Sequence, residues 1–565
     1  MLNLKRALAE DIRTGITAVP AYARALGESE VTVERVAQAQ QHGDYASPVA
    51  LKLAKALGKA PLKIVEEIAA HMPKREYVGR ITAAAPGYLN VRLNPGWMTA
   101  RLDDVIEEDL CSELVVGRGK RVNLEFISAN PTGPLTLGNI RTAFSVDTLG
   151  KVLACAGYDV TREYYFNDAG AQVRKLGESV LRRVLIARGE QIDYPAELYQ
   201  GDYVLGVGEQ VAEKLRENEG KELTEADLRD EAMLGRVSTE AVWLLLNDIK
   251  RMISEDLKIT FDIWTSEAQL RASGAVQTAV AALREKGFAY DKDGAVYLKT
   301  TAFGDDQDRI LVKRDGEYAY IAPDIGYHAD KYQRGFDEIF TFVGADHQGH
   351  LPKIAAAMQA LGRDVSHLHL ISAQWFRVMR SGKPVKLSKR AGQIVTPKDL
   401  IDEAGYDATR FFMVQHALST HMDFDLDLAR ERSARNPVFY VQYAYVRLQS
   451  ILRQAQERGA VSEMGVAADA HTRPVLTHTF EVAILRQLYR WPEVIADIAV
   501  SFAVHDLAYY ALELARAVHV FYRHVPVLAA DEAAVRASRL QLVLATRAVL
   551  GKTLDLLGVG KPDVM

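Results

Sequence analysis

An α/β fold built on a parallel sheet is predicted for the middle of this chain, with a small α+β module before it and an all-helical bundle after it. Three observations carry that reading. Arg121 opens the strand-like run Val-Asn-Leu-Glu-Phe-Ile, which leads through a Pro/Gly-rich loop into a helical stretch over 141–156. Strand-like and helical segments then alternate, which favours parallel strands joined by helices. After about Tyr406 strand signals nearly vanish while helical periodicity continues. A length of 565 residues allows about three to five domains or sub-domains.

Each element follows from its own pattern. Leu2, Leu4, Ala7, Leu8 and Ile12 recur at helical spacing, and a second helix is expected over 47–57, where Pro48 suits a first helical turn. The period then changes: 77–81 and 89–93 alternate like strands around the turn Ala85-Pro86-Gly87, and a helical stretch around 97–110 closes the module. Further strands are expected at 159–166, 294–298, 318–322 and 338–343. The charged helical stretch between Lys175 and Ile259 interrupts the sheet as an insertion, placed at about 175–290. Its charge run over 214–230 reads as a solvated helix face. Helical periodicity over 435–456 and 480–557 makes a bundle, with the stretch 459–470 as a loop. The expected divisions are 1–112, 113–405 and 406–565.

Composition excludes several classes. With 69 Lys+Arg against 74 Asp+Glu the net charge is −5, so a general positive coat for nucleic acid is absent, while a local basic site stays open. Cys111 and Cys155 are too far apart for a C-x-x-C pair and too few for a zinc ribbon or disulfide scaffold, which fits a reducing compartment. The first residues mix charges with apolar side chains, unlike a signal peptide, and no apolar run reaches the ~20 residues of a membrane helix. The expected location is the cytoplasm.

Two phosphate-site patterns are set aside. Gly551-Lys552-Thr553 resembles the end of a P-loop, but Thr546 stands where the earlier glycine belongs and the surrounding pattern is helical. Gly117-Arg-Gly119 lacks the third glycine of a dinucleotide fingerprint. The loop Ser128-Ala-Asn-Pro-Thr-Gly-Pro-Leu-Thr-Leu-Gly-Asn139 is more informative, because it runs from a strand into a helix whose first N–H groups favour an anion such as a triphosphate. Gly138 lets a ligand approach the backbone, and Thr136 and Asn139 supply neutral hydrogen-bond donors. A plain strand–helix turn is the competing reading of this loop alone.

The segment Ser381-Gly-Lys-Pro-Val-Lys-Leu-Ser-Lys-Arg-Ala-Gly392 follows Arg377 and Arg380, with no acidic residue over 377–392. Its lysines suit a pyrophosphate leaving group, since positive charge placed where negative charge develops stabilises the transition state. A solvated surface loop is the plainer reading of it alone. Between the two loops lie Tyr318-Ala-Tyr-Ile-Ala-Pro-Asp324 and, at the carboxyl end of a strand, Val343-Gly-Ala-Asp-His-Gln-Gly-His350. Asp346, His347 and His350 read as ribose or substrate contacts in preference to a metal set.

Together, the first loop with its Thr-Leu-Gly-Asn end and Lys386-Leu-Ser-Lys389 resemble the two signatures of class I aminoacyl-tRNA synthetases, H-I-G-H and K-M-S-K. Asn167-Asp-Ala-Gly-Ala-Gln172, Gly344-Ala-Asp-His-Gln-Gly, Asp407-Ala-Thr-Arg-Phe411, Asn436-Pro-Val-Phe-Tyr-Val-Gln-Tyr-Ala and the terminal Pro562-Asp-Val-Met565 are similar to the arginyl-tRNA synthetase family in particular. In the first module, Gly43-Asp-Tyr-Ala-Ser-Pro and Ala85-Pro-Gly-Tyr-Leu-Asn-Val-Arg-Leu93 resemble that family's extra domain, which contacts the tRNA elbow. The resemblance runs over essentially the whole chain. Its one conspicuous departure is the replacement of both signature histidines, by Thr136 and Asn139. These still donate neutral hydrogen bonds, and the retained K-L-S-K argues for activity.

The resemblance implies a Rossmann-like catalytic domain at 113–405, an elbow-binding module at 1–112 and an anticodon-binding bundle at 406–565. It implies an ATP-dependent arginine–tRNA ligase activity, with tRNA needed even for arginine activation. A non-catalytic tRNA-binding paralogue is one rival. A cysteinyl specificity is another, but it relies on a zinc site that two scattered cysteines do not readily build. Thr136, Gly138 and Asn139 would hold ATP, Lys386 and Lys389, with Ser388, would close on its phosphates, and Asp346 would meet the ribose. Mg²⁺ would arrive with the nucleotide; zinc or another resident metal is not expected. Asp324 is the expected partner of the substrate guanidinium, because a carboxylate matches its planar donors and rejects neutral side chains. Ser128, Asn130 and Asn139 would flank the main-chain end of arginine, with Tyr320 and Gln348 completing the pocket and Gln172 a further candidate. The tRNA would meet Tyr88 and Asn90 at its elbow, and Tyr440, Tyr443 and Met565 near its anticodon. The expected partners are arginine tRNA, L-arginine and ATP, with no membrane, for a chain expected to be a monomer.

Overall fold

The computed structural model describes residues 2–36, 39–107, 109–112, 114–385, 394–460 and 473–565. They fall into two compact units, one of Met1–Val116, Cys155–Gly157 and Arg432–Met565, the other of Gly117–Ala154 and Tyr158–Glu431.

In the first unit the N-terminal module is an antiparallel sheet with helices packed on it. Tyr88–Leu93 pairs with Tyr45–Ser47 on one side and Val78–Ala84 on the other. Leu4, Leu8, Ile12 and Ile16 recur every fourth residue on Leu4–Thr17, and all are buried. Gly15 on the same helix admits Pro61–His71 at close range: a Cβ there would lie 2.7 Å from the Ile68 carbonyl oxygen. Among the described residues the bundle is made of Pro437–Glu457, Thr479–Ser501, His505–His524 and Ala533–Leu557, close to the bounds that periodicity predicts. Its buried Trp491 donates its indole N–H to Thr553 Oγ1 at 3.1 Å, so Gly551-Lys552-Thr553 belongs to a packed helix. Buried Glu493 of the bundle accepts from Lys5 N at 3.1 Å, from Arg35 Nε at 2.7 Å and from the Tyr45 hydroxyl, which ties the module to the bundle.

Two expectations change here. The helical stretch expected around 97–110 is made of two short helices, Pro95–Ala100 and Leu102–Glu107. Cys111 and Cys155 form a disulfide. Their separation of 44 residues conceals the pairing; only the folded chain brings their Cα atoms to 4.8 Å.

The elements of the second unit are numbered from its first strand: β1 (Arg121–Glu125), α1 (Ile140–Cys155), β2 (Asp159–Phe166), α2 (Ala171–Ala187), α3 (Tyr203–Glu219), α4 (Glu231–Arg251), β3 (Ile263–Ser266), α5 (Glu267–Ala272), α6 (Ala275–Glu285), β4 (Ala289–Lys292), β5 (Ala295–Leu298), β6 (Arg309–Val312), α7 (Ile321–Gln333), β7 (Glu338–Gly344) and β8 (Leu368–Ala373). The main sheet has the order β8-β7-β1-β2-β3, and all its pairings are parallel. The chain runs outward from β1 through β2 to β3 and returns on the other side of β1 at β7, so the strand order reverses between β1 and β7. In such sheets the crevice outside the carboxyl ends at that reversal is where ligands bind.

The insertion between β2 and β3 has its own apolar core, in which Leu176 and Val180 of α2, Val211 of α3 and Val237 of α4 are buried. It is narrower than 175–290, because β3 lies within that range and belongs to the sheet; a four-residue strand is too short to show alternation. The strand expected at 294–298 exists as β5, but in a separate antiparallel sheet with β4 and β6. The strand expected at 318–322 is not formed: Tyr318 makes one bridge to Val312, and α7 begins at Ile321. Pro323 is tolerated in the first turn of that helix, where its missing N–H breaks no bond. Residues 406–431 also belong to this unit and not to the bundle. Met422–Asp425 pairs with Phe376–Arg380, and buried Arg410 pairs with buried Asp147 of α1.

Candidate active site

At the end of β1, Ile127 and Ser128 adopt φ values of +67° and +42°, a conformation unfavourable for side-chain-bearing residues that turns the chain out of the sheet. Hydrogen bonds to β2 hold this bend. Ser128 Oγ donates to Glu125 Oε1 at 3.1 Å and accepts from Tyr165 N at 3.2 Å. The Tyr164 hydroxyl accepts from Ala129 N and donates to Ala129 O. Asn130 Nδ2 donates to Gln172 Oε1 at 3.1 Å, which brings these two candidates together.

The loop then enters a single 3₁₀ turn, Leu137–Asn139, continuous with α1. Asn139 Oδ1 accepts from Thr136 N at 3.1 Å and from Thr136 Oγ1 at 3.0 Å. The two residues that replace the signature histidines therefore bond each other, and the Asn139 amide nitrogen is the donor end that remains. Gly138 and Asn139 line a cavity of about 180 Å³ together with Gly344, Ala345 and Trp375. The Trp375 indole is 55% exposed, and a Cβ on Gly138 would lie 3.7 Å from it.

Beside this loop the carboxyl ends of β1 and β3 and the start of α7 bring three carboxylates near one another: Glu125, Glu267 at the start of α5, and Asp324 in the first turn of α7. Burial, then the charges of Glu125 and Glu267, push the Asp324 carboxyl up to about 8, against the opposing pull of Lys331. Tyr165 donates its hydroxyl to Glu267 Oε2 at 2.8 Å and stacks on Tyr327 with ring centroids 4.5 Å apart. Tyr320 is 57% exposed at the start of α7, edge-on to His350. Glu125, Glu267 and Trp375 escaped the sequence reading. For Glu125 a signal existed: Asn123 and Glu125 interrupt a central parallel strand at alternate positions, where a near-continuous apolar run is the rule.

Other candidates are more dispersed. Asp346 is exposed, 3.5 Å from His347, and Gln348 is exposed with no hydrogen bond to these carboxylates among the described residues. Lys386, Ser388 and Lys389 lie outside the described residues. Arg377 and Arg380, which the sequence groups with that basic segment, are engaged by Asp423 at 2.8 Å and Glu403 at 2.6 Å, carboxylates distant in sequence. In the first unit Tyr88 is exposed while Asn90 is only 5% exposed. Tyr440 and Tyr443 are partly buried against His519, with ring centroids at 4.3 and 5.9 Å. Gln442 Nε2 donates to Gly560 O, which brings the terminal segment of exposed Met565 to the same helix. Among the described residues no group of three His, Cys, Asp or Glu side chains is arranged to hold a metal ion, and no helix is long and apolar enough to cross a membrane.

A parallel sheet whose first strand leads through such a loop into a helix at the reversal of strand order is the catalytic layout of class I aminoacyl-tRNA synthetases. The family model described as tRNA synthetases class I (R), catalytic domain, matches residues 102–422. Models for the arginyl tRNA synthetase N terminal domain and the DALR anticodon binding domain match 4–93 and 441–565. An arginine–tRNA ligase of Geobacillus kaustophilus is 38% identical over 565 residues, covering 100% of this chain and 99% of the relative. That of Bacillus subtilis is 38% identical over 573 residues and 100% of both chains. The solved arginyl-tRNA synthetase of Thermus thermophilus shares the fold, with a TM-score of 0.76 at 22% identity over 100% of each chain. The chain belongs to the arginyl-tRNA synthetase family.

Proposed function

We propose that the chain is an ATP-dependent arginine–tRNA ligase whose chemistry takes place where the 128–139 loop meets the three carboxylates. The arginine carboxylate attacks the α-phosphorus of ATP, pyrophosphate leaves, and arginyl-adenylate forms. The 2′- or 3′-hydroxyl of the terminal tRNA adenosine then attacks the arginyl carbonyl and AMP departs. No covalent enzyme intermediate is needed, so catalysis is positioning and charge stabilisation.

The observation that carries this reading is the convergence of Glu125, Glu267 and Asp324 beside a helix-entering loop, since a cluster of carboxylates suits a guanidinium and repels an anionic side chain. Ser128 and Asn130 flank the main-chain end of arginine, with Gln172 behind Asn130, and Tyr320 and Gln348 close the pocket. Asn139 offers its amide to the ATP phosphates, Thr136 orients it, Gly138 admits the nucleotide, and Trp375 presents its indole face to the base. Asp346 meets the ribose. Lys386 and Lys389, with Ser388, close on the β- and γ-phosphates, and Mg²⁺ enters as part of the ATP substrate. The module at 1–112 holds the tRNA elbow through Tyr88 and Asn90. The bundle reads the anticodon through Tyr440, Tyr443 and Met565. The protein works in the cytoplasm, as a monomer.

Pyrophosphate exchange with arginine, run with and without cognate tRNA, tests the activity, and aminoacylation against all twenty amino acids tests the specificity. Exchange that requires tRNA, and charging with arginine alone, are expected. Neither exchange nor charging in any condition would overturn the reading.

A further inference from the structure

Beneath the three carboxylates lies a buried polar layer, and its charges nearly cancel. Glu163 of β2 pairs with Arg334, the residue just after α7, at 2.9 Å, and Glu267 pairs with Arg271 at 2.5 Å. Glu125 pairs with Lys331 of α7, Nζ to Oε2 at 2.6 Å, the lysine being 0% exposed. Asp324 alone, among these four carboxylates, has no cation within 4 Å among the described residues. Glu125, Glu163 and Glu267 each keep a cation, Arg334 being shared with the more exposed Asp330 at 2.8 Å, and Asp324 is the carboxylate left to meet a guanidinium.

Lys331 also sets geometry. Its Nζ donates to Thr341 Oγ1 of β7 at 3.1 Å, and that oxygen lies 2.9 Å from the same Glu125 Oε2. The other oxygen of Glu125 accepts from Ser128. His328, whose Nδ1–H donates to the Asp324 carbonyl oxygen at 2.8 Å, faces Thr341 Oγ1 through Nε2 at 3.1 Å. One buried ammonium thus connects the turn of α7 that carries Asp324 to the carboxylate at the end of β1. Tyr165 on β2, Tyr320 just before α7 and Tyr327 on α7 also lie around Asp324 and are neutral when protonated.

We propose that Lys331 is a positioning residue that matches the charge of the pocket to one guanidinium: it compensates Glu125 and holds it in place, so that Asp324 is the carboxylate left for the substrate. This rests on the reading of the pocket as the arginine site. Without Lys331 two uncompensated carboxylates would face each other, and the pair would keep a proton to higher pH. Arginine would then have to displace that proton before it could bind.

The test is aminoacylation kinetics across pH for the wild type, Lys331→Met, Asp324→Asn and the double variant Lys331→Met/Glu125→Gln. Lys331→Met is expected to raise the arginine KM about tenfold near neutral pH, leave the ATP KM unchanged, and move the acid limb of kcat/KM for arginine about one unit higher. The double variant, which removes one charge of each sign, is expected to return the limb close to its wild-type position even if Lys331→Met alone fails to fold. A limb that does not move in Lys331→Met, or a double variant whose limb departs from the wild-type position, overturns the proposal. Asp324→Asn separates the two readings. If it leaves the arginine KM unchanged the arginine site itself is misplaced; if it raises that KM while Lys331→Met leaves the limb unmoved, only the role of Lys331 falls.

Discussion

At the scale of one residue, the proposed arginine site is tested most directly at Asp324. Asp324→Ala should lower kcat/KM for arginine about a hundredfold to a thousandfold, the cost of removing one partner of a desolvated charge pair. The KM for ATP should stay put; an unchanged arginine turnover would take Asp324 out of the pocket. The raised pKa has a sign that melting experiments can read. Between the usual carboxylate value and about 8, the arginine-free native state holds a proton that the unfolded chain releases, so this group lowers stability as pH rises through that window. Arginine favours the ionised form, so the rise in Tm on adding arginine should be larger at about pH 8.5 than at about pH 6.5. An equal rise at both would mean that Asp324 does not titrate with the ligand. His328 acts in the opposite direction: burial lowers it to about 4, and its contribution is lost as pH falls below its usual value toward that point.

At the scale of elements, α7 and the turn before α1 carry the site, and each depends on a close contact. Gly326 lets α7 lie against α6, since a Cβ there would meet Val276 Cα at 2.9 Å. Gly326→Ala should therefore destabilise by about 1–3 kcal/mol through overpacking, and because Asp324 is half a turn away the arginine KM should rise as well. A melt indistinguishable from wild type would show that the two helices have slack. In the turn before α1, Asn139→Ala removes both the cap of Thr136 and the remaining amide donor. We expect kcat to fall about a hundredfold, the usual effect of losing one preorganised donor to a developing charge. A loss confined to thermal stability would reduce Asn139 to a cap.

At the scale of the molecule, the first unit is assembled from segments far apart in sequence, through Glu493 and through the Cys111–Cys155 disulfide. A closed loop with a separation of 44 residues restricts the unfolded chain, which is worth about 4 kcal/mol in the chain-entropy view. Cys111→Ser, or reductant added to the wild type, should lower the Tm by similar amounts, and the two treatments together should add nothing further. If reductant lowers the Tm of Cys111→Ser as well, the stabilisation has another source. The net charge of −5 also gains a structural meaning at this scale. Basic residues that look free in sequence, such as Arg377 and Arg380, are neutralised by distant acids, so attraction for a polyanion is confined to local sites.

Much of this protein follows from its sequence alone. The strands at 121–125, 159–166 and 338–344, the helix after the 128–139 loop and the long helices of the bundle all announce themselves. Hydrophobic period and turn chemistry are local, and a run of one period longer than a few residues decides its own conformation. The 128–139 loop is legible for the same reason, as turn chemistry between a strand and a helix, whereas Asp324 lies in the first turn of a helix that the local pattern does not show. Tertiary structure decided the rest. Tyr318 and Tyr320 alternate like a strand, yet the chain turns helical at Ile321 because that helix buries Ile321, Ala322 and Ile325. Residues 406–431 read as bundle and join the sheet unit, through a strand pairing and a buried Arg410–Asp147 pair. The disulfide and the Glu125–Lys331 pair link residues 44 and 206 positions apart. Local pattern carries no record of what meets across such distances. Which carboxylate keeps a cation, and which does not, is decided only when strands and helices pack.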